Sequence, residues 1–158
     1  MGHKVNPIIH RIPVINQWRS KWFASRRGKF GQFLEQDTKI RKWLDKRFRD
    51  AGLDRVEIER SPDQLVINIY TSKPGVVIGR GGAGIEEAKK YIKLDLLKGE
   101  KVGLQINIKE IDQPQQAAAV VVSNIAQDLE KRIPYRRTIK RALDQVMKAG
   151  AQGAKLEV

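Results

Sequence analysis

Val77-Ile78-Gly79-Arg80-Gly81-Gly82-Ala83-Gly84-Ile85 is the stretch that decides how this chain folds. Five of the six residues from Gly79 to Gly84 are glycine or alanine, and Arg80 is the exception. Small residues leave the backbone amides uncovered, so such a segment can approach a flat or anionic group closely. Three interpretations fit it: contact with RNA phosphates, contact with the pyrophosphate of a dinucleotide, or a structural turn without a ligand.

Periodicity in the flanking residues places this stretch within a succession of helices and strands. A helix is predicted over 37–51, with Asp37 as its N-cap and Gly52 as its stop. Alternating apolar residues predict three strands, around Val56–Ile58, Leu65–Thr71 and Leu104–Ile108. The helix expected directly after the glycines has apolar positions Ile85, Ala88, Ile92 and Leu96, and Gly99 ends it. The predicted order is helix, strand, strand, glycine-rich turn and helix, strand.

Two further helices are predicted beyond Pro114. The first has an apolar stripe of Ala118, Val121, Val122, Ile125 and Leu129, and Pro134 stops it. The second runs from about 135 to 149, with Ile139, Leu143 and Val146 on its apolar side. On its other side, four cations fall within an arc of about 140°, namely Arg136, Arg137, Lys140 and Arg141. That face can follow a phosphate backbone or simply be solvated.

The charge of the chain indicates a polyanionic partner. It carries a net charge of +13 over 158 residues, and nucleic acid is the most common partner of so basic a protein. Lys and Arg outnumber Asp and Glu by 13 to 4 in residues 1–50 and by 8 to 4 in residues 116–158, but equal them at 10 each in between. The glycine-rich stretch therefore lies in a neutral middle flanked by two basic arms.

Aromatic and cationic residues alternate in the first arm. The aromatics are Trp18, Trp22, Phe23, Phe30 and Phe33, and the cations among them are Arg19, Lys21, Arg26, Arg27 and Lys29. Such rings can stack on bases while the cations meet phosphates, or they can pin the arm to the domain behind it. Pro7 and Pro13 are expected to interrupt any early helix, so residues 1–36 are predicted to be irregular.

Several other classes of protein are disfavoured. There is no cysteine and there are only two histidines, so no metal or cofactor site is predicted. No apolar run is long enough to span a membrane. The glycines match the dinucleotide fingerprint literally, but the chain is short for a doubly wound sheet and only Val76–Ile78 could form the strand before them. We therefore predict neither an enzyme nor a small-molecule substrate.

A Gly-x-x-Gly turn between two helices explains the same residues better. In this interpretation Gly79 to Gly82 form the turn, a short helix precedes Gly79, and Gly82 opens the next helix. The glycines deny side chains to the surface, and the amides at the start of the second helix can meet a nucleic-acid backbone. Ile78 and nearby aliphatic residues would then form an apolar wall for bases.

Three separate motifs carry a resemblance to a known family. The glycine-rich stretch resembles the V-I-G-x-x-G-x-x-I signature of KH domains, in the type II order of elements. The other motifs resemble the bacterial-type family of small-subunit ribosomal protein three: they are Met1 to Pro7 with Arg11, Trp18, Ser20 and Trp22-Phe23-Ala24, then Tyr135 to Ala142, and Gly150 to Val158. The resemblance therefore covers nearly the whole chain.

The resemblance implies an α+β protein with a type II KH domain, in which helices pack on a small three-stranded mixed sheet. It implies a basic N-terminal extension over 1–36, the KH domain over 37–112, and over 113–158 a helix pair with the first strand of a second α+β domain. Residues Gly153 to Val158 alternate like the start of that strand, so we expect the family's second domain to continue beyond them.

The implied function is that of a structural, ribosome-bound protein of the small-subunit head, either in the cytoplasm or in an organelle. Its implied partners are ribosomal RNA, messenger RNA at the channel through which it enters, and neighbouring head proteins. The family's messenger-unwinding residues match Arg136, Arg137 and Lys140. The full predicted RNA-binding set is Lys4, Arg11, Arg26, Arg27, Lys73, Ile78, Gly79, Arg80, Gly81, Gly82, Arg136, Arg137, Lys140 and Arg141.

This sequence departs from the family inside the turn. The family often has two basic residues between the two glycines, but here the second position is Gly81. That difference implies one phosphate contact fewer. A KH protein that acts on other RNAs outside the ribosome is the alternative function.

Overall fold

The computed structural model describes residues 2–12, 14–24, 27–97 and 102–157. The helices and strands, in chain order, are α1 (Pro7–His10), β1 (Ser20–Lys21), α2 (Arg27–Arg47), β2 (Leu53–Arg60), β3 (Gln64–Thr71), α3 (Pro74–Ile78), α4 (Ala83–Tyr91), β4 (Gly103–Glu110), α5 (Ala118–Glu130) and α6 (Tyr135–Lys148). Short 3₁₀ turns occupy Arg49–Ala51 and Arg80–Gly82, and α4 continues as a π-helical turn over Ile92–Leu96.

The sheet is mixed and has the strand order β1-β2-β3-β4 among the described residues. β2 and β3 form the predicted antiparallel hairpin, and β4 pairs with β3 in parallel. The predicted three-stranded sheet is wrong by one strand, because β1 pairs in parallel with β2 through Ser20 and Lys21. A two-residue strand is too short to show any alternation in sequence, so only the tertiary pairing reveals it.

One face of the sheet carries the core. Ile58, Ile67 and Ile69 project from the central strands and are fully buried. The helices on that face contribute Ile40 and Leu44 from α2, and the same cluster includes Val77, Ala88, Ile92 and Leu97. Contacts with β4 place α3 and α4, with the glycine-rich turn between them, against the sheet.

The first long helix exists as predicted, but the prediction of its first residue is wrong. α2 begins at Arg27, ten residues before the predicted N-cap Asp37. Asp37 lies inside the helix and is buried. Its carboxylate does not cap the helix but accepts hydrogen bonds from Trp22 and Arg60. The predicted stop is confirmed: Gly52 has φ +63° and ends the 3₁₀ turn that follows α2.

Residues 1–36 were predicted to be irregular, but the structure shows regular elements within them. This N-terminal arm contains α1, in which Asn6 is the N-cap and Pro7 is the first residue, where its missing N–H costs nothing. It also contains β1 and the beginning of α2. The predicted effect of Pro13 and the predicted helix end at Gly99 fall outside the described residues.

Asp37 anchors this arm through a buried polar cluster. Its carboxylate pairs with the Arg60 guanidinium at 2.6 Å, with both side chains over nine-tenths buried. It also accepts the Trp22 indole N–H at 2.8 Å and the Ser20 hydroxyl at 3.3 Å. Arg41 donates to the Arg19 carbonyl at 2.9 Å from the same side of α2. The cluster therefore ties β1 and α2 to β2 at one place.

The apolar faces of α5 and α6 differ in detail from the predicted stripes. On α5 the buried residues are Val120 and Ile125, while Val122 is 60% exposed. Three consecutive valines do not indicate in sequence which of them faces the core. In the structure Val120 is the buried one, because its side chain lies against the backbone at Gly52. On α6 the buried residues are Thr138 and Ala142. The predicted Ile139, Leu143 and Val146 are half-buried beside them.

The predicted strand at the end of the sequence is also absent from the described part. Residues 151–157 carry no strand pairing there. A strand is defined by hydrogen bonds to a neighbouring strand, and the described sheet consists of β1 to β4. The first strand of a second domain therefore stays a prediction.

Candidate nucleic-acid interface

The start of α3 is fixed by hydrogen bonds from the end of β3. The buried Thr71 hydroxyl donates to the Ala51 carbonyl at 2.6 Å and accepts the Lys73 amide at 3.2 Å. The Lys73 amide also donates to the Ala51 carbonyl at 3.2 Å. The backbone of Lys73 is therefore held, while its side chain is exposed at the beginning of the helix–turn–helix unit.

The turn has the predicted helix–turn–helix form, and its glycines are required by the backbone. Gly79, Gly81 and Gly82 have φ values of +72°, +62° and +84°, which residues with a side chain adopt only at a cost of about 1–2 kcal/mol. A Cβ at Gly81 or Gly82 would meet open space. The outer surface of the turn is therefore bare backbone, with Arg80 as its one cationic side chain.

Gly84 has a different role, which is to allow α3 and α4 to approach each other. A Cβ at this position would lie 2.5 Å from the Val77 carbonyl oxygen and 3.1 Å from that of Ile78. Both are backbone atoms, so neither can rotate away. The last glycine of the stretch therefore sets the distance between the two helices that present the turn.

We predict that Gly84→Ala destabilises the protein by about 1–3 kcal/mol, because the added methyl group forces the two helices apart. Thermal and urea unfolding will measure this. Gly75→Ala is the matched control: the space around Gly75 is open and it is also in a helix. Equal stability of the two variants would contradict the close approach.

The apolar wall beside the turn consists of the exposed residues of α3. Val77 is buried in the core, whereas Ile78 is 38% exposed and Val76 is 51% exposed. The prediction for this wall was Ile78 with nearby aliphatic residues. It did not single out Val76, because three consecutive apolar residues do not reveal which of them face outward. The same geometry excludes the dinucleotide fingerprint, since Val76–Ile78 belong to a helix and that fingerprint requires a strand.

The four predicted cations of α6 lie on its exposed side. Arg136, Arg137, Lys140 and Arg141 are all exposed. Arg136 donates to the Tyr135 hydroxyl at 3.1 Å, and no described carboxylate lies within ion-pair distance of any of the four. We call these residues the α6 cationic face.

Several cations of α2 are held by partners within the protein. Lys39 pairs with Glu35, and Arg47 pairs with Glu87 at 2.8 Å. Arg49, just beyond the helix, pairs with Glu130, and Arg41 donates to backbone carbonyls. Lys42 and Lys46 have no such partner within the described ranges. Helix α2 is therefore a weaker candidate for RNA contact than α6.

A cavity connects the KH-like unit with the α6 cationic face. It has a volume of about 390 Å³ and is lined by Lys73 from the start of α3 and by Arg141 from α6. Aliphatic side chains of α5, including Val120 and Ile125, form its apolar part. The fold thus brings together two predicted residues that are far apart in sequence.

Arg132 is a cation that the sequence interpretation missed. It lies between α5 and α6 with φ +59°, a left-handed conformation that is uncommon for a residue with a side chain. It is exposed and lines a second cavity of about 370 Å³ together with Arg137 and Arg141. Its place beside the α6 cationic face follows from the tight turn between the helices, which no periodicity indicates.

The predicted contacts of the N-terminal arm are distributed along it. Lys4 and Arg11 are exposed on either side of α1. Arg27 is the first residue of α2, and Arg26 lies outside the described residues. These residues remain predictions.

Two kinds of site receive no support from the described residues. No group of three His, Asp or Glu side chains gathers there as metal ligands. Among the helices of the described ranges, none is long and apolar enough to cross a membrane.

The mixed sheet, the helices on one of its faces and the Gly-x-x-Gly turn between α3 and α4 define a KH-domain protein of the type II order. A family model described as a KH domain matches residues 39–116. Small ribosomal subunit protein uS3 of Persephonella marina is 45% identical over 158 residues, which are 100% of this chain and 68% of that protein.

Other relatives agree over the same span. Small ribosomal subunit protein uS3 of Halalkalibacterium halodurans is 44% identical over 100% of this chain and 69% of that protein. Small ribosomal subunit protein uS3c of Guillardia theta is 41% identical over 100% of this chain and 72% of that protein. The chain belongs to the family of small ribosomal subunit protein uS3.

Proposed function

We propose that this chain is a structural constituent of the small ribosomal subunit that binds ribosomal RNA and has no catalytic role. The relatives named above are small ribosomal subunit proteins, and their similarity extends over the full length of this chain. We also propose that the α6 cationic face and the KH turn contact messenger RNA where it enters, and that other proteins of the subunit head are its neighbours.

The observation that carries the proposal is the α6 cationic face. Arginine and lysine side chains that have no carboxylate partner keep their charge available for phosphates, and displacement of counterions from RNA then drives binding. Cations that are paired within the protein, such as Arg47 and Arg49, contribute much less to this effect. Solubility alone does not require four positive charges on one side of a 14-residue helix.

The turn supplies a different kind of contact. Its backbone is uncovered at Gly81 and Gly82, and α4 begins there without a side-chain cap on its first amides, which leaves them available to a phosphate. Val76 and Ile78 beside it present aliphatic surface on which bases can lie. KH domains clamp about four single-stranded nucleotides in this way. We therefore assign shape selection to the turn and most of the affinity to the cations.

Co-sedimentation tests the proposal as a whole. The tagged chain, expressed in a bacterium whose own copy of this ribosomal protein can be depleted, is expected in the small-subunit fraction of a sucrose gradient at moderate salt. Recovery only at the top of the gradient, with crosslinked RNAs other than ribosomal RNA, would instead support the alternative of a KH protein outside the ribosome.

We predict that Gly82→Asp weakens binding of a single-stranded RNA oligonucleotide without unfolding the domain. The carboxylate would lie where a phosphate approaches, and the Cβ itself enters open space. Gly82→Ala is the matched control, because it imposes the same backbone strain at φ +84° without the charge. Fluorescence anisotropy should show a larger loss for aspartate than for alanine, and equal affinities would make the turn purely structural.

The division of the chain into an extension over 1–36, a KH domain over 37–112 and a following segment over 113–158 is part of the same proposal. Limited proteolysis tests it, with cleavage expected near the two boundaries. Because α2 spans the first boundary, cleavage there should occur before Arg27.

A further inference from the structure

Two adjacent aromatic residues of the N-terminal arm have opposite environments. Trp22 is half-buried, with its indole N–H donating to Asp37 and its ring 5.6 Å from that of Phe33 in an edge-on arrangement. Phe23, the next residue, is 89% exposed. The sequence left open whether the aromatic residues of this arm pin it or stack on bases, and the structure separates the two roles by residue.

The backbone that carries Phe23 is held in place. Ser20 and Lys21 pair with β2 as strand β1. Trp22 is fixed by the buried Asp37 carboxylate and by its ring contacts with Phe30 and Phe33. An exposed ring on a fixed segment loses little conformational freedom when it stacks on a ligand, because only its two side-chain torsions remain to be ordered.

A groove of about 490 Å³ lies beside this ring. Phe23 and Phe33 give it aromatic surface, and Gln32 and Gln64 add amide groups. Lys29 is the exposed cation, whereas the Arg60 guanidinium is neutralised by Asp37. Among the residues that the structure describes, none that lines the groove is an aspartate or a glutamate.

These groups match an unpaired nucleobase with its phosphate better than any other occupant. A base stacks on an exposed phenylalanine face, side-chain amides can donate to and accept from its edge, and a lysine can meet the phosphate next to it. The volume lies within the range of about 300–1,000 Å³ in which proteins hold small planar ligands. An acidic or purely aliphatic partner would leave either the amides or the ring without a counterpart.

The groove is distinct from the KH turn. Gln64, which lines it, is the first residue of β3, and the turn follows Thr71 at the other end of that strand. Seven residue steps of extended chain separate the two ends by about 23 Å. An RNA that fills the groove therefore meets the protein at a second place, at the opposite end of the sheet.

We propose that Phe23 and the groove beside it form a second RNA site, in which one unpaired base of the ribosomal RNA stacks on the Phe23 ring. This inference rests on the proposed function, because it assumes that RNA is the partner. It assigns Phe23 as the stacking surface, Gln32 and Gln64 as groups that face the base edge, and Lys29 as the phosphate contact.

The test uses the full chain and an in vitro transcript of small-subunit ribosomal RNA. Phe23→Ala should weaken binding roughly 5- to 150-fold, the range expected for the loss of one stacked base. Phe23→Trp should keep the affinity of the wild type. Phe23→Leu should lose affinity as Phe23→Ala does, because leucine is apolar but has no aromatic face. With a 4-thiouridine transcript, crosslinks to the peptide that contains Phe23 should disappear in the alanine variant.

Leu94→Ala is the control for loss of exposed apolar surface, since Leu94 is 74% exposed and does not line the groove. If the wild-type chain fails to bind the transcript, the proposed function fails and this inference with it. If the wild type binds but Phe23→Ala or Phe23→Leu binds equally well, only the stacking site is overturned. An unchanged circular dichroism spectrum and melting temperature should accompany every variant, because Phe23 supports no core contact.

Discussion

Replacing Asp37 with alanine should lower the free energy of unfolding by about 3–5 kcal/mol, the largest single-residue effect expected in this protein. The substitution leaves the Arg60 guanidinium buried without its counterion, since that side chain is only 8% exposed. It also removes the acceptor of the Trp22 indole N–H. Urea denaturation monitored by tryptophan fluorescence will give the change directly.

The reason for so large an effect is the cost of an uncompensated charge. A buried pair gains little net stability over an apolar pair of the same volume, but a single charge left behind keeps its full desolvation penalty. The double variant Asp37→Leu/Arg60→Met should therefore recover much of the stability lost in Asp37→Ala. If the double variant is no more stable than Asp37→Ala, the loss does not come from the uncompensated charge of Arg60 and this explanation is wrong.

An exposed ion pair serves as the matched control. Lys21 and Glu59 are 3.2 Å apart, and each side chain is 41% exposed. Both pairs connect β2 to another segment, but this one lies in water, so Glu59→Gln should cost no more than about 1 kcal/mol. A comparable loss for the two pairs would show that burial is not the deciding factor.

Replacing Arg136, Arg137 and Lys140 together with alanine should produce the largest loss of RNA affinity. Each cation that neutralises a phosphate contributes about 0.7–0.9 to the slope of log Kd against log salt. Three lost contacts reduce that slope by roughly 2 to 3 units, so the change in Kd between 50 and 200 mM salt becomes roughly 15- to 60-fold smaller. Filter binding of the small-subunit transcript over this range of salt measures it.

A variant with the same change in net charge distinguishes a specific face from bulk charge. Lys39, Arg47 and Arg49 are cations that pair with carboxylates within the protein. Their replacement by alanine should alter the slope far less and cost little stability, because exposed pairs contribute at most about 1 kcal/mol each. Equal slopes for the two triple variants would mean that net charge, and not the α6 cationic face, governs binding.

The KH unit was the most predictable part of this molecule. The hairpin, the fourth strand and the helix–turn–helix around Gly79 to Gly82 follow from local patterns, since period-2 alternation, helical spacing and glycine at positive φ are all properties of short segments. The reason for a glycine at position 84 was not predictable in the same way. The glycine is needed because the Val77 carbonyl oxygen lies against it, and that distance exists only once the two helices pack.

Asp37 shows why the helix boundaries were less predictable. An aspartate before an apolar stripe is a good N-cap by local criteria. Here its carboxylate is instead held by Arg60 and Trp22, which come from other elements, so the helix extends back to Arg27. Local preference was overridden by a contact between segments 23 residues apart.

The sequence by itself determined the chemistry of this protein: a surplus of cations in two arms, a glycine turn that keeps backbone uncovered, and four cations on one side of a late helix. These are properties of composition and spacing, and they do not depend on how the elements pack. Only the tertiary structure decided which charges remain available, because the carboxylates that neutralise Arg47 and Arg49 come from distant elements. It also decided that Trp22 anchors the arm while Phe23 stays exposed, since burial depends on which surface a side chain meets after the chain has folded.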